Sequence, residues 1–238
     1  MTIDQLGAAT IKQIRGIHDL KTYRNACYML KQLEPYTNTT FHNREKVFYL
    51  NKSGRDLIGS SKEFKVGQKL EHTLLRNDVY IYLNCPFDWQ SEKVLEYASE
   101  QPNLNGIIIR GVNVATKKKI VSDGYYKRNG YTYIVEIDNK RDMKDNHKKI
   151  VSYAECFKYL DTPRLSMYTH TLDRQRKLTK WMNENKVPGE VKLYEEISKK
   201  HPIKDVFGDE ICKNKSEEKL AGRFPVYRLF GISCLIDK

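Results

Sequence analysis

The stretch from Asp19 to Leu50, DLKTYRNACYMLKQLEPYTNTTFHNREKVFYL, decides how the first part of the chain is read. Leu20, Tyr23, Cys27, Leu30 and Leu33 recur every three or four residues, which places them on one face of a helix. Asp19 supplies an N-cap, and Pro35 ends the helix because it has no amide hydrogen to donate and its ring clashes with the preceding turn. TNTTFH and VFYLN then read as two strands rich in Thr, Val, Phe and Tyr, joined by the polar turn Asn43-Arg44-Glu45-Lys46.

Opposite its apolar stripe this helix carries Lys21, Thr22, Arg24, Asn25, Tyr28 and Lys31, side chains able to reach both phosphates and base edges. Arg24 and Asn25 are the candidates for base edges; Lys21, Arg44 and Lys46 are the candidates for phosphates. Upstream, Ile3, Leu6, Ile11, Ile14 and Ile17 keep helical spacing with an interruption near Gly7 to Thr10, so two short helices are expected. Downstream, Lys52 to Ile58 reads as another short helix and Gly59-Ser60-Ser61-Lys62 as a linker. Three helices followed by a basic-tipped hairpin is the layout of a winged helix-turn-helix. That domain is expected over residues 1–62, with the boundary near residues 59 to 66.

A chain of 238 residues has room for two such domains. Its 42 Lys plus Arg against 30 Asp plus Glu leave a net charge of +12, which favours polyanionic partners and nucleic acid first. The hydrophobic share of 39% excludes a disordered chain. Cys27, Cys85, Cys156, Cys212 and Cys234 are scattered, with no C-x-x-C pair and no zinc-like spacing to histidine, so reduced thiols in a cytoplasmic protein are expected. No run approaches the roughly 20 apolar residues of a membrane helix, and no signal-peptide layout opens the chain, so no membrane partner is expected.

Residues 66–238 form the expected second domain. Val66 to Leu83 begins with a helical pattern and ends with an extended one. GIIIRGV (106–112), KIVSDGYY (119–126) and YTYIVEID (131–138) read as strands, the last two as a hairpin through Lys127-Arg128-Asn129-Gly130. A helix over 143–160, a strand over 164–170, a helix over 172–185 and a last strand or two over Pro225 to Ile236 follow. The alternation predicts an α/β domain on a mixed sheet, and with the first domain an α+β chain. Lys117-Lys118-Lys119 reads as a solvated turn, Trp89 and Trp181 as core, and His72 and His147 as core or surface histidines.

Three acids carry the chemistry of this domain. Asp123 lies in Ser122-Asp123-Gly124 on one strand, and Glu136 and Asp138 share a face of its hairpin partner because side chains alternate with a period of two. Carboxylates gathered at one end of a sheet can hold Mg²⁺, which polarises a phosphodiester and activates water, with a lysine beside it.

The Asp-Gly strand, the hairpin, the E-x-D strand and the following helix resemble the PD-(D/E)XK nuclease fold. The resemblance implies a restriction-endonuclease-like domain with metal on Asp123 and Glu136, and it places Asp138 where that fold's catalytic lysine would be. Lys140, Lys148 or Lys149 would then have to supply the cation. Otherwise the three acids make structural hydrogen bonds or salt bridges with Lys140 and Lys149.

Over residues 2 to 195 the sequence also resembles the replication-relaxation family of Gram-positive plasmids and mobile elements, which join a winged helix to this nuclease-like domain. The matching features are the Q-L and Leu-rich helices, VFYLNKSGRDLI, the Glu71-His72 pair, IVEID, the helix bearing Lys149 and Tyr153, and RLSMYTHT with Arg174 beyond it. The resemblance implies a double-stranded DNA-binding protein that regulates replication or transcription on a plasmid or prophage and needs no cofactor to bind. Two alternatives stay open: a Mg²⁺-dependent endonuclease or nickase targeted by the winged helix, and an adaptor for a replication or conjugation protein. A homodimer is a further open alternative.

Overall fold

The break near Gly7 to Thr10 is a strand. In the computed structural model, which describes residues 2–18, 20–67, 69–99 and 116–200, α1 (Thr2–Leu6) turns through Gly7 into β1 (Ala8–Thr10) and on into α2 (Ile11–His18). Gly7 adopts φ 79°, a conformation that glycine reaches without strain. Thr10 and Gln13 then form a reciprocal capping box: the Thr10 hydroxyl accepts from the Gln13 amide at 3.2 Å, and the Gln13 side-chain oxygen accepts from the Thr10 amide at 3.1 Å.

α3 (Tyr23–Gln32) starts later than expected, because the Thr22 hydroxyl caps it by accepting from the Asn25 amide at 3.1 Å. The expected cap, Asp19, lies outside the described residues. Its buried stripe is Ala26, Leu30 and Leu33, while Tyr23 is 42% exposed and Cys27 half-buried. A 3₁₀ turn at Glu34–Tyr36 leads into β2 (Thr37–His42), which pairs antiparallel with β3 (Glu45–Leu50). The turn between them is only Asn43-Arg44, both in the left-handed region at φ 47° and 64°, as a two-residue type I′ hairpin requires. Glu45 and Lys46 are therefore strand residues. The strand order is β1-β3-β2, and α4 (Lys52–Ile58) follows, capped by Asn51.

α5 (Lys69–Tyr82) is helical throughout; the extended end expected near Leu83 does not form. It belongs to the first unit. Leu70 and Leu74 pack with Ala8 and Val47, Asn77 donates to the Ala8 carbonyl at 2.6 Å, and Arg76 donates to the Leu6 carbonyl at 2.8 Å. Gln13 ties α2 to the same helix through the Leu74 carbonyl (2.8 Å) and Asp78 (2.7 Å). The first division between units therefore falls at Asn84 and Cys85, beyond the boundary expected near residues 59 to 66, with a second between Ile197 and Ser198, and Glu71-His72 lies in the first unit.

The second unit, Cys85–Ile197, holds a five-stranded mixed sheet in the order β4-β5-β6-β7-β8. β4 (Gln90–Ser99), β5 (Thr116–Arg128) and β6 (Tyr131–Ile137) are antiparallel; β6, β7 (Pro163–Thr169) and β8 (Gly189–Leu193) are parallel. α6 (Met143–Cys156) and α7 (Leu172–Glu184) make the crossovers that parallel strands need. Their Ile150, Tyr153, Leu178 and Met182 pack with Ile134, Leu165 and Met167 of the sheet in one core. α8 (Tyr194–Lys200) follows β8.

β4 and β8 were not expected. Lys117-Lys118-Lys119 lies within β5, where Lys118 pairs with Glu155 at 2.9 Å and Lys119 with Glu96 at 2.7 Å. Trp89 is buried, and Trp181 packs half-buried on the core. The strands expected at 106–112 and 225–236, Cys212 and Cys234 lie outside the described residues. Cys27, Cys85 and Cys156 are in no disulfide, and no helix among the described residues is long and apolar enough to cross a membrane. The chain is α+β, with one three-stranded sheet and one mixed five-stranded sheet.

Candidate functional site

All six residues singled out on the helix, Lys21, Thr22, Arg24, Asn25, Tyr28 and Lys31, are exposed. They are not equivalent. Thr22 is occupied as the cap, and the exposed Asn25 side-chain amide spends one N–H on the Leu20 carbonyl at 3.1 Å. The Lys21 backbone, at φ 55°, accepts from Arg15 at 3.2 Å. Arg24, Tyr28 and Lys31 follow one another along the outward stripe at four- and three-residue steps, with Tyr28 63% exposed.

The hairpin adds Arg44 and Lys46, both exposed, with the Lys46 ammonium 5.3 Å from the Phe48 ring centre. A groove of about 900 Å³ separates α3 from the hairpin, lined by Tyr23, Cys27 and Lys31 on one side and Thr39, Lys46 and Phe48 on the other. One acid, Glu34, also borders it, whereas Glu45 is engaged by Lys12. Phe41, cross-strand from Lys46 and 69% exposed, was not foreseen; its odd place, an aromatic beside the turn of a polar hairpin, was the available signal.

In the second unit, Asp123 and Glu136 flank each other one step beyond the Gly124–Val135 pair of β5 and β6. Gly124 fits there because a Cβ would stand 2.2 Å from the Trp89 ring. Asp123 accepts from the Ile137 amide at 2.7 Å. Glu136 is buried, with one carboxylate oxygen 2.5 Å from the Lys149 ammonium and the other accepting the Tyr153 hydroxyl. Burial and the nearby charge of Asp123 push the Glu136 carboxyl up to about 8, against the pull of Lys149 and Tyr153. Burial together with Glu136 likewise raises the Tyr153 phenol.

Asp138 is held differently. It is buried and receives Arg174 through two guanidinium nitrogens at 2.6 and 2.7 Å, the Thr169 hydroxyl at 2.8 Å and the Asn146 amide at 2.8 Å. Burial alone would raise its pKa; the hydrogen bonds from Arg174, Asn146 and Thr169 and the Arg174 charge outweigh it and hold the carboxyl below its ordinary value. Arg174, raised by the same bond, also donates to the Arg141 carbonyl at 2.5 Å. One carboxylate thus joins the end of β6 to β7, α6 and α7.

Of the three lysines considered, Lys149 alone stands on a site carboxylate. Lys140 is exposed in the turn after β6, and Lys148 is exposed beside Asp145 at 3.7 Å. The partner of Asp138 is Arg174, in place of Lys140 or Lys149. Asn146 and Thr169 were not foreseen; both are polar residues that the fold buries against Asp138. His147 packs edge-on to Trp181 at 4.8 Å, and among the described residues no three His, Cys, Asp or Glu side chains converge as a metal-binding group. Mg²⁺ is commonly held by one or two carboxylates with waters completing its shell, but both Glu136 oxygens are taken here by Lys149 and Tyr153, so an ion on Asp123 and Glu136 would have to displace one of them. No family model, curated protein or solved structure matches the chain.

Proposed function

We propose that the chain binds double-stranded DNA through its first unit, a winged helix-turn-helix in which α3 enters the major groove and the β2–β3 hairpin is the wing. The observation that carries this reading is the exposed stripe of Arg24, Tyr28 and Lys31 on α3, whose Lys31 lines one groove with Lys46 of the hairpin, and the exposed Arg44 at the hairpin turn. Side chains of these types fix a protein on phosphates and read base edges. Net charge +12 adds long-range attraction. The helix–strand–helix–helix–hairpin order supports the fold assignment. In this reading the second unit is a nuclease-like domain whose lysine position is taken by Asp138, and the resemblance to the replication-relaxation family makes the process control of replication or transcription on a plasmid or prophage. Affinity for duplex DNA is expected to fall with salt at a log–log slope of about −0.9 per phosphate contact. A salt-insensitive complex would contradict the reading.

One observation favours a second reading, a Mg²⁺-dependent endonuclease: Lys149 places a cation on Glu136, beside Asp123. Asp123 and Glu136 would hold the ion, which would polarise the phosphodiester, and Lys149 would offset charge on the phosphate. Supercoiled plasmid incubated with the protein and Mg²⁺ or EDTA separates the two. The first reading predicts retarded, intact plasmid under both conditions; the second predicts Mg²⁺-dependent nicking that Glu136→Ala abolishes.

A further inference from the structure

The side chains of Tyr131, Tyr133 and Val135 alternate with those of Thr132, Ile134 and Glu136, so they point away from α6 and α7. On that outer face a row of rings and guanidinium groups crosses three strands. Register sets Arg128 against Tyr131, Tyr126 against Tyr133, and Tyr133 against Arg164. The Tyr126 and Tyr133 rings stack at 4.8 Å and within 7° of parallel, Trp89 stacks on Tyr126 at 6.0 Å, and Tyr131 lies 6.3 Å from Tyr133. Arg128 sits over Tyr126 at 5.5 Å and Arg164 over Tyr131 at 4.5 Å.

The row is graded. Trp89 and Tyr126 are buried and act as its backing, Tyr133 is half-buried, and Tyr131 is 38% exposed with both arginines exposed around it. Two acids whose charge reaches Tyr126 are already engaged: Glu190 with Lys192 at 2.7 Å, and Asp88 with the Lys127 amide at 2.7 Å. We propose that this face binds unpaired DNA, with a base stacking at Tyr131 and Tyr133 and the guanidinium groups of Arg128 and Arg164 meeting the adjacent phosphates. Rings on a sheet accept any base through its π-face, and planar guanidinium groups serve both stacking and phosphate contact. Two guanidinium groups on the rings select a polyanion over an apolar or proline-rich peptide. Choosing DNA over RNA rests on the duplex-binding reading of the first unit; the stacking surface does not.

The test uses the full chain and fluorescence anisotropy with labelled oligo-dT, oligo-U and duplex DNA. Tyr131→Ala is expected to weaken oligo-dT binding about tenfold or more and to leave duplex binding unchanged. Tyr131→Phe, which keeps the ring, should bind as the wild type does, and Arg164→Lys, which keeps the charge but not the plane, should weaken binding. Arg24→Ala with Lys31→Ala should do the reverse, lowering duplex affinity while sparing oligo-dT. Failure of that pair to affect the duplex would sink the first unit's reading alone. Three results would overturn the stacking site: no oligo-dT binding by the wild type, equal binding by wild type and Tyr131→Ala, or equal loss on oligo-dT and duplex. Tighter binding of oligo-U than oligo-dT would overturn its assignment to DNA.

Discussion

The two units treat charge in opposite ways. In the first, Arg24, Lys31, Arg44 and Lys46 are exposed, Lys31 and Lys46 lining one open groove. In the second, Asp138 and Glu136 are buried: Asp138 is met by Arg174 and two neutral donors, Glu136 by Lys149 and the Tyr153 hydroxyl. Exposed cations leave the fold's stability almost untouched and remain available to a partner. A buried carboxylate is tolerated only while its partners stay in place, because desolvating an unpaired charge is expensive.

The comparison breaks first at Arg174. Replacing it with alanine strands Asp138 and is expected to destabilise the second unit by about 3 to 5 kcal/mol, read as an earlier urea midpoint. Arg174→Lys should recover only part of that loss, since an ammonium cannot grip both carboxylate oxygens in one plane. An unchanged midpoint for Arg174→Ala would mean that Asp138 is not the tie described.

A smaller effect is expected inside the first unit. Asp78, half-buried and bonded to Gln13, is pushed up to about 6 by burial, against the Gln13 hydrogen bond that lowers it. Its folded-state pKa therefore exceeds that of the unfolded chain. Between pH of about 4 and 6 the folded state keeps a proton that the unfolded state has released, so stability should fall as pH rises through this window. Asp78→Asn should flatten that slope and raise stability at neutral pH, by on the order of 1 kcal/mol. Denaturant midpoints across the window check it, and a slope that persists in the variant would assign the effect to another group. The smallest effect on stability is expected for Arg24→Ala with Lys31→Ala, within about 0.5 kcal/mol of the wild type.

This contrast also separates what could be read from sequence. The outward residues of α3 and the hairpin were legible because periodicity and turn chemistry are local, and the acids were legible because Asp123, Glu136 and Asp138 lie on two consecutive strands or directly after them. The allegiance of α5 was not, since its apolar spacing says that it packs without saying on what; its Arg76 and Asn77 reach carbonyls some 70 residues away. β4 escaped notice because only Leu95 and Tyr97 of its assigned residues are buried, too few to show an alternation. The Asp138–Arg174 pair joins residues 36 apart, so its geometry follows from where α7 returns to the sheet. Tyr131 and Arg164 meet for the same reason, across a parallel pair whose crossover lies between them.

The most direct test of the central claim is a salt titration of duplex DNA binding between about 50 and 200 mM, comparing wild type with Arg24→Ala plus Lys31→Ala. The account predicts a steep log–log decline for the wild type, and for the variant a weaker affinity with a slope shallower by up to about 0.9 for each phosphate contact removed. Equal affinity and equal slope for the two proteins would contradict the assignment of α3 as the DNA-binding element.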